Sequence, residues 1–314
     1  MHKLKKKFKH LRRTIQYGCL YYLLRILQKL ANYMPESLVF FACELLALTC
    51  FYLFARERRK TINNLNKAFS SEKKPEEIFA IARGTFVNLG RNFAELLRWD
   101  SLTDDELKKR ITCSNIEYAW DILKQNKGAV VLTCHSGNFE LIPPYFAARG
   151  HCGAIIARAF HDSRINDLLV ELRKSKGCKV IDRDDSPRSI FASLRENRLL
   201  GILADQDIRK LDGVFVDFFG HSAYTPIAPV IIAQTAGCPL LPMIITRDPL
   251  CKYRHHIKVY PPIELVGSKK DRNALVVNTQ KWSKLVEDHI RAYPDQWVWM
   301  HNRWKTTPEK LKRD

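Results

Sequence analysis

The chain lacks any Cys-x-x-Cys pair, and its nine cysteines are an odd number scattered from Cys19 to Cys251. That pattern does not indicate a disulfide framework. No stretch resembles a cleavable secretory signal with a small-residue cut site, so reduced thiols facing the cytoplasm are expected. A Gly-x-Gly-x-x-Gly fingerprint, a P-loop, an internal repeat and a long low-complexity linker are also missing. Their absence removes motif evidence for nucleotide binding, repeat architecture or a linked second domain beyond residue 60. No His-x-x-x-His or Glu-x-x-His spacing occurs, so no metal is expected, and no prosthetic group is called for. Ser136 lacks the Gly-x-Ser-x-Gly elbow of a hydrolase nucleophile, and Cys134 sits in an apolar run that favours inward packing.

Acid is scarce where base is abundant. Met1 to Arg13 contains no Asp or Glu, and the whole chain of 314 residues carries a net charge of +19 with a pI near 9.6. Anionic partners follow: nucleic acid, acidic phospholipid, an acidic carrier protein or a phosphorylated glycolipid. The basic arm leads straight into apolar segments, which selects an anionic membrane surface over nucleic acid. Leu20, Leu23, Leu24, Ile26, Leu27 and Leu30 recur around Arg25, Gln28 and Lys29 at spacings that predict an interfacial helix. Leu38 to Ala55 is apolar apart from Glu44 and Thr49 and ends at Arg56-Glu57-Arg58-Arg59-Lys60. About 20 apolar residues are needed to cross a bilayer, so this segment is marginal as a span, and basic flanks on both sides favour a helical pair or shallow anchor. Residues 1–60 are therefore expected to form a basic arm with membrane-anchoring helices, and residues 61–314 a catalytic domain.

The most informative stretch is His135-Ser136-Gly137-Asn138-Phe139-Glu140. It follows Ala129 to Cys134, a run suited to a strand buried on both faces, and Gly137-Asn138 then offers a turn into a helix. On one continuous helix residues five apart diverge by roughly 140°, so His135 and Glu140 meet only if the backbone turns between them. The expected chemistry gives His135 Nε2 the proton of an attacking hydroxyl while Glu140 accepts a hydrogen bond from Nδ1.

Further blocks accompany this pair: Arg58, Asn64-Leu65-Asn66-Lys67-Ala68-Phe69, Arg158, Ala204-Asp205-Gln206-Asp207, Gly213 to Gly220, Thr225-Pro226, and Trp297-Val298-Trp299-Met300-His301-Asn302-Arg303-Trp304-Lys305. In content and order they resemble the late acyltransferases of lipid A biosynthesis, within the wider lysophospholipid acyltransferase superfamily. Members of that superfamily carry a His followed, after four intervening positions, by an acidic residue, as in His135 and Glu140. One departure stands out: after Arg158 the family usually has Pro and then Asn-Pro, where this chain has Ala159-Phe160-His161-Asp162-Ser163. The resemblance implies a membrane-associated O-acyltransferase at the inner membrane, facing the cytoplasm. Its donor would be an acyl-carrier-protein thioester or acyl-CoA, and its acceptor a hydroxyl of a lipid A precursor or related glycolipid, with lysophospholipid as a further alternative.

Beyond residue 60 the pattern predicts an α/β fold, a mostly parallel sheet flanked by helices, with an N-terminal helical membrane anchor. Strands are expected at 129–134, 153–157, 178–181, 199–204, 240–246 and 256–260. Helices are expected after Pro75 and at 116–125, 164–176, 187–197, 226–236 and 272–292. Arg158, Asp205 and Gln206 then follow strand ends on the edge that carries His135. Arg158 suits a phosphate of donor or lipid, and Asp205 and Gln206 are candidates for orienting substrate. Asp207 reads equally as a turn residue. Phe215, Phe218 and Phe219 suit either a core or an acyl-chain groove. Trp297, Trp299, His301 and Arg303 recur every second residue, predicting one face of an extended segment, either core-packed or near the membrane. Lys305, Lys310, Lys312 and Arg313 read as a solvated, membrane-attracted tail.

Overall fold

The computed structural model of the chain describes residues 2–185 and 187–311, with side chains from residue 12 onward. Lys312 and Arg313, and the basic side chains before residue 12, lie outside that description.

Four helices open the chain: α1 (His2–Tyr33), α2 (Glu36–Leu53), α3 (Ala55–Phe69) and α4 (Pro75–Leu97). A short helix α5 (Asp104–Arg110), capped by the Thr103 hydroxyl, leads into β1 (Ile111–Ser114). After α6 (Glu117–Lys124) come β2 (Ala129–Thr133), α7 (Ile142–Ala147), β3 (Ala154–Ala157), α8 (Ser163–Ser175) and β4 (Lys179–Asp182). The chain continues through α9 (Pro187–Arg195) and β5 (Leu199–Leu203) into a hairpin of β6 (Gly213–Phe218) and β7 (His221–Pro226). Helix α10 (Ala228–Ala236), strands β8 (Leu240–Arg247) and β9 (His255–Val259), and the long α11 (Arg272–Ala292) complete the frame.

The seven-stranded sheet has the order β1-β9-β8-β2-β5-β3-β4. β8, β2, β5, β3 and β4 run parallel, whereas β9 turns back antiparallel to β8 and β1 runs parallel to β9. The fold is thus α/β with a mixed, mostly parallel sheet flanked by helices. All five residues of β2 are buried. Val130 and Leu132 join the core under α4, α10 and α11, and Ala129 and Val131 join the core on the opposite face. Burial on both faces is why this strand reads as a continuous apolar run. Each fully buried Val or Leu contributes roughly 1.5–3 kcal/mol relative to exposure. Among the strands, β1, whose Ile111-Thr112-Cys113-Ser114 carries little apolar signal, and the β6–β7 hairpin were not anticipated, nor among the helices were α3 and α5.

A third cluster joins Val39, Phe40 and Cys43 of α2 to Ala31 of α1 and Ala94 and Leu97 of α4. α2 lies directly on α4. At Gly90 an added Cβ would sit 2.6 Å from Cys43 O and 2.8 Å from Ala47 Cβ, so glycine sets the approach of the two helices. Glu44, the carboxylate inside the apolar helix, pairs with Arg91 of α4 at 2.9 Å and Lys252 at 3.0 Å. By length and composition α2 is able to cross a membrane. α3 runs unbroken through residue 60, and its Asn64 amide holds the carbonyls of Trp299 and His301, each at 2.7 Å.

Overpacking a close helix contact typically costs about 1–3 kcal/mol. Gly90→Ala is therefore expected to lower the urea midpoint of the full-length protein and expose the α1–α2 pair to limited proteolysis before the sheet unfolds.

Candidate active site

β2 ends at Thr133, and the chain turns sharply through His135, Ser136 and Gly137. Gly137 adopts φ +56°, and a Cβ there would lie 2.5 Å from the carbonyl oxygen of Ile245 on β8. Only glycine meets both demands. Phe139–Leu141 then forms one 3-10 turn before α7 begins. Asn138 stands at the start of that turn as expected, but its side chain does not cap it; the amide donates instead to Glu95 Oε2 at 2.8 Å.

His135 Nδ1 donates to Asp205 Oδ1 at 2.7 Å. Asp205 Oδ2 accepts the His135 backbone N–H at 3.0 Å and the Trp297 indole N–H at 2.7 Å. Two expectations are corrected here. Glu140 is not the partner of Nδ1: its carboxylate is taken in bidentate fashion by Arg173 of α8, at 2.6 and 3.0 Å. The 3-10 turn, tighter than the expected α-helical start, carries Glu140 toward α8. Asp205, expected to contact substrate, is found beneath the imidazole: its side chain is 1% exposed and both oxygens are occupied, because β5 lies next to β2. His135 itself keeps 24% of its side chain exposed. Its Nε2 has no hydrogen-bond partner among the described residues. The Phe139 ring meets the imidazole edge-on at 5.2 Å.

Burial alone would lower the His135 pKa, but the Asp205 charge and hydrogen bond, helped by the charge of Glu140, raise it above the ordinary 6.5. Burial pushes the Asp205 carboxyl up; the His135 charge, its two hydrogen bonds and the Trp297 N–H outweigh it and hold the group at about 2. An ionised carboxylate fixes the tautomer, leaving Nε2 as the basic nitrogen.

The C-terminal aromatic block forms a strap of turns across this loop, not the extended segment expected from its alternation. The Val298 N–H donates to His135 O at 3.1 Å, and the Gly137 N–H donates to Gln296 O at 3.0 Å. Trp297 and Trp299 are 1% and 0% exposed, which places them in the core. Phe218 and Phe219 join the same core cluster. Asp207 secures the strap beyond it, accepting Thr306 N–H and Oγ1–H at 2.8 and 2.7 Å. Arg303 is buried, with its guanidinium on Tyr224 O and the Thr225 hydroxyl.

Arg158 and Gln206 line a groove of about 750 Å³ at the ends of β3, β4 and β5, shared with Arg183, Lys210, His301 and Lys305. Arg158 is exposed and makes no ion pair among the described residues, since Asp162 is taken by Arg164 and Glu171 by Arg25. Burial and the charge of Lys305 lower the His301 pKa to about 4, so its ring is neutral.

Sequence reasoning did not reach Glu95. This fully buried carboxylate holds Arg247 at 2.9 and 2.7 Å, His255 Nε2–H at 2.7 Å and the Asn138 amide. Arg247 also donates to Asn92, whose own amide donates to Gly137 O at 2.7 Å. Burial would raise the Glu95 pKa, but the Arg247 and His255 partners hold it well below the usual carboxylate range. The signal for this network was a lone Glu in the apolar Phe93-Ala94-Glu95-Leu96-Leu97 of α4. Among the described residues no cluster of three or more His, Cys, Asp or Glu is arranged to hold a metal.

The sequence profile of bacterial lipid A biosynthesis acyltransferases matches residues 3–306. The chain belongs to that family. It is 26% identical over 231 residues to a phosphatidylinositol mannoside acyltransferase of Mycolicibacterium smegmatis, covering 71% of this chain and 72% of the relative. It is 24% identical over 259 residues to the lipid A biosynthesis lauroyltransferase of Escherichia coli, covering 82% of each. The palmitoleoyltransferase of lipid A biosynthesis in the same organism is 22% identical over 258 residues, covering 80% of each. Acyl transfer involving a donor and a lipid acceptor is thus common to the family and its glycolipid-modifying relatives.

Removing one partner from a buried ion pair costs about 3–5 kcal/mol because the other charge is stranded. Glu95→Ala should therefore destabilise the fold by that amount in denaturant titrations, with Arg247 as the stranded group.

Proposed function

We propose that the protein is a membrane-associated O-acyltransferase that moves a fatty acyl group from a thioester, carried by acyl carrier protein, to a hydroxyl of a lipid A precursor. The observation that carries this reading is the imidazole of His135, tied through Nδ1 to an ionised carboxylate, partly exposed, and without a hydrogen-bond partner at Nε2 among the described residues.

In the proposed step, Nε2 takes the proton of the acceptor hydroxyl as its oxygen attacks the thioester carbonyl. The tetrahedral oxyanion collapses, the C–S bond breaks, and the thiolate sulfur takes the proton back from Nε2–H. Ester and thiol are the products, and His135 returns to neutral. Asp205 stabilises the imidazolium in between. Such a base contributes about 100- to 10,000-fold in rate. The cations around Arg158 and Gln206 suit the phosphate of a carrier-linked pantetheine arm or an acidic carrier surface. Glu140 acts through Arg173, steadying the turn on α8.

Residues 1–60 serve as the membrane-anchoring part and 61–314 as the catalytic part, at the inner membrane and facing the cytoplasm. The polarity of α1 supports this. Its Gln28 and Asn32 turn inward to Asp100 and the Leu97 carbonyl, whereas Ile15, Leu23, Ile26 and Leu30 point outward, each more than half exposed. Phe41, Leu45 and Leu46 of α2 are likewise more than half exposed. Exposed apolar helix faces of this kind mark a lipid or protein contact.

The test is to incubate the purified protein with acyl-carrier and acyl-CoA donors plus a tetra-acylated lipid A precursor, and to weigh the products. One added acyl chain on the precursor from the carrier donor is expected. Mass gain only on a phosphatidylinositol mannoside or a lysophospholipid would move the acceptor, and gain only from acyl-CoA would move the donor. His135→Ala, folded by circular dichroism, should lose about 100- to 10,000-fold in kcat; normal transfer by it would remove the mechanism.

The pH profile separates the two carboxylates. Because the base must be neutral, kcat/KM should rise with pH through a midpoint above 6.5, the ordinary imidazole value. Asp205→Asn removes the group that raises the His135 pKa, so the midpoint should fall and kcat should drop. Glu140→Gln should move that midpoint less than Asp205→Asn does.

A further inference from the structure

A carboxylate inside an apolar helix is costly unless cations hold it. Glu44 of α2 is such a group, and its two partners sit on different elements: Arg91 of α4 and Lys252 in the loop between β8 and β9. Each partner adjoins a residue that supports the loop of His135. Arg91 precedes Asn92, whose amide donates to Gly137 O at 2.7 Å. The carbonyl of Lys252 accepts from Arg247, whose guanidinium also donates to Asn92 Oδ1 at 2.7 Å and to both oxygens of Glu95. Glu95 in turn accepts from the Asn138 amide at 2.8 Å. The contacts that leave Glu44 therefore end on Gly137 and Asn138, the turn that follows His135.

Arg247 also reaches the other side of this turn. Its backbone N–H donates to Gln296 Oε1 at 2.7 Å and its carbonyl accepts from Gln296 Nε2 at 2.8 Å, while the Gln296 carbonyl accepts the Gly137 N–H. Gly137 is thus held at both its N–H and its C=O, and Arg247 serves both holds. The interior of the network is withdrawn from water, with Arg247 2% and Glu95 4% exposed, and a buried, hydrogen-bonded network rigidifies what it touches. Its outer end is Glu44, on the anchoring helix, next to the point where Gly90 lets α2 approach α4.

We propose that Glu44 is a positioning residue for acyl transfer: through Arg91 and Lys252 it ties α2 to the loop that sets the His135 imidazole in register with Asp205. The anchor is then part of the device that aims the base, and the register is complete only with α2 docked on α4. The inference rests on the acyltransferase reading for its reaction, but one half of its test needs no turnover.

Full-length parent, Glu44→Gln, Asn92→Ala and the double variant are compared in detergent, each shown to be folded by circular dichroism. Isotope-labelled histidine NMR follows the imidazoles with pH, the His135 signal being the one missing from His135→Ala. The charges that face His135 are Asp205 and Glu140, so the parent ring should titrate above the ordinary 6.5. In both single variants the midpoint should move down toward that value as the ring leaves Asp205. Asn92→Ala changes no charge, so a shared fall reports lost register and not a lost field. In transfer assays each single variant should lose about tenfold in kcat with KM for donor and acceptor unchanged, the scale of a sub-ångström misplacement. The double variant should lose about the same tenfold, not a hundredfold, because both changes cut one path. If Glu44→Gln does not fold, Lys252→Met, which leaves Glu44 on Arg91, takes its place with the same downward shift expected. An unmoved His135 midpoint, or losses that multiply in the double variant, overturns the proposal. A parent that transfers no acyl chain counts against the acyltransferase reading, and the imidazole titration then judges the positioning role by itself.

Discussion

The site depends on one buried carboxylate. Asp205 is withdrawn from water, yet it accepts three hydrogen bonds, two from His135 and one from Trp297. A carboxylate so placed is stable only while all three donors are present, because a buried charge without partners costs several kcal/mol. The three donors and the acceptor come from the end of β2, the end of β5 and the segment after α11. The parallel pairing of β2 with β5 brings the first two together, and the backbone bonds from Gly137 and Val298 bring the third.

Much of the frame was legible because it rests on local pattern. β2 announced itself by an apolar run with no period, and α11 appeared at its full Arg272–Ala292 extent. The β6–β7 hairpin was hidden because its two-residue turn is Phe219-Gly220. Phe219 adopts φ +57°, where Asn or Asp is the usual sign. Its ring packs on Phe69, Phe218 and Trp299, and that burial overrides the local preference. β1 was hidden for a different reason: at the sheet edge it needs only Ile111 fully buried.

At the site, spacing located His135 and its strand end but misassigned its partner. Sequence distance says that His135 and Glu140 are near; it cannot say that Asp205, 70 positions later, is nearer. The separation of Glu140 from the imidazole follows from the 3-10 geometry of Phe139–Leu141 and from Arg173, neither visible in the local pattern. Trp297 was similarly misread, since alternation suggests a strand whether or not the backbone turns. Glu95 illustrates the converse: an isolated acid in an apolar helix face, unremarked in the pattern, proves to be the hub that fixes Asn138 and, through Arg247 and Asn92, Gly137.

The strap formed by residues 296–306 has a bearing on how the molecule is made. During synthesis the β2 loop emerges early, but Trp297, which supplies the third donor to Asp205, follows Asp205 by 92 positions. A nascent chain that has folded its sheet still lacks the indole and the two backbone clasps that hold the imidazole in register. The imidazole is fixed only once the aromatic segment has left the ribosome and docked, so its placement waits for a segment made after every strand of the sheet.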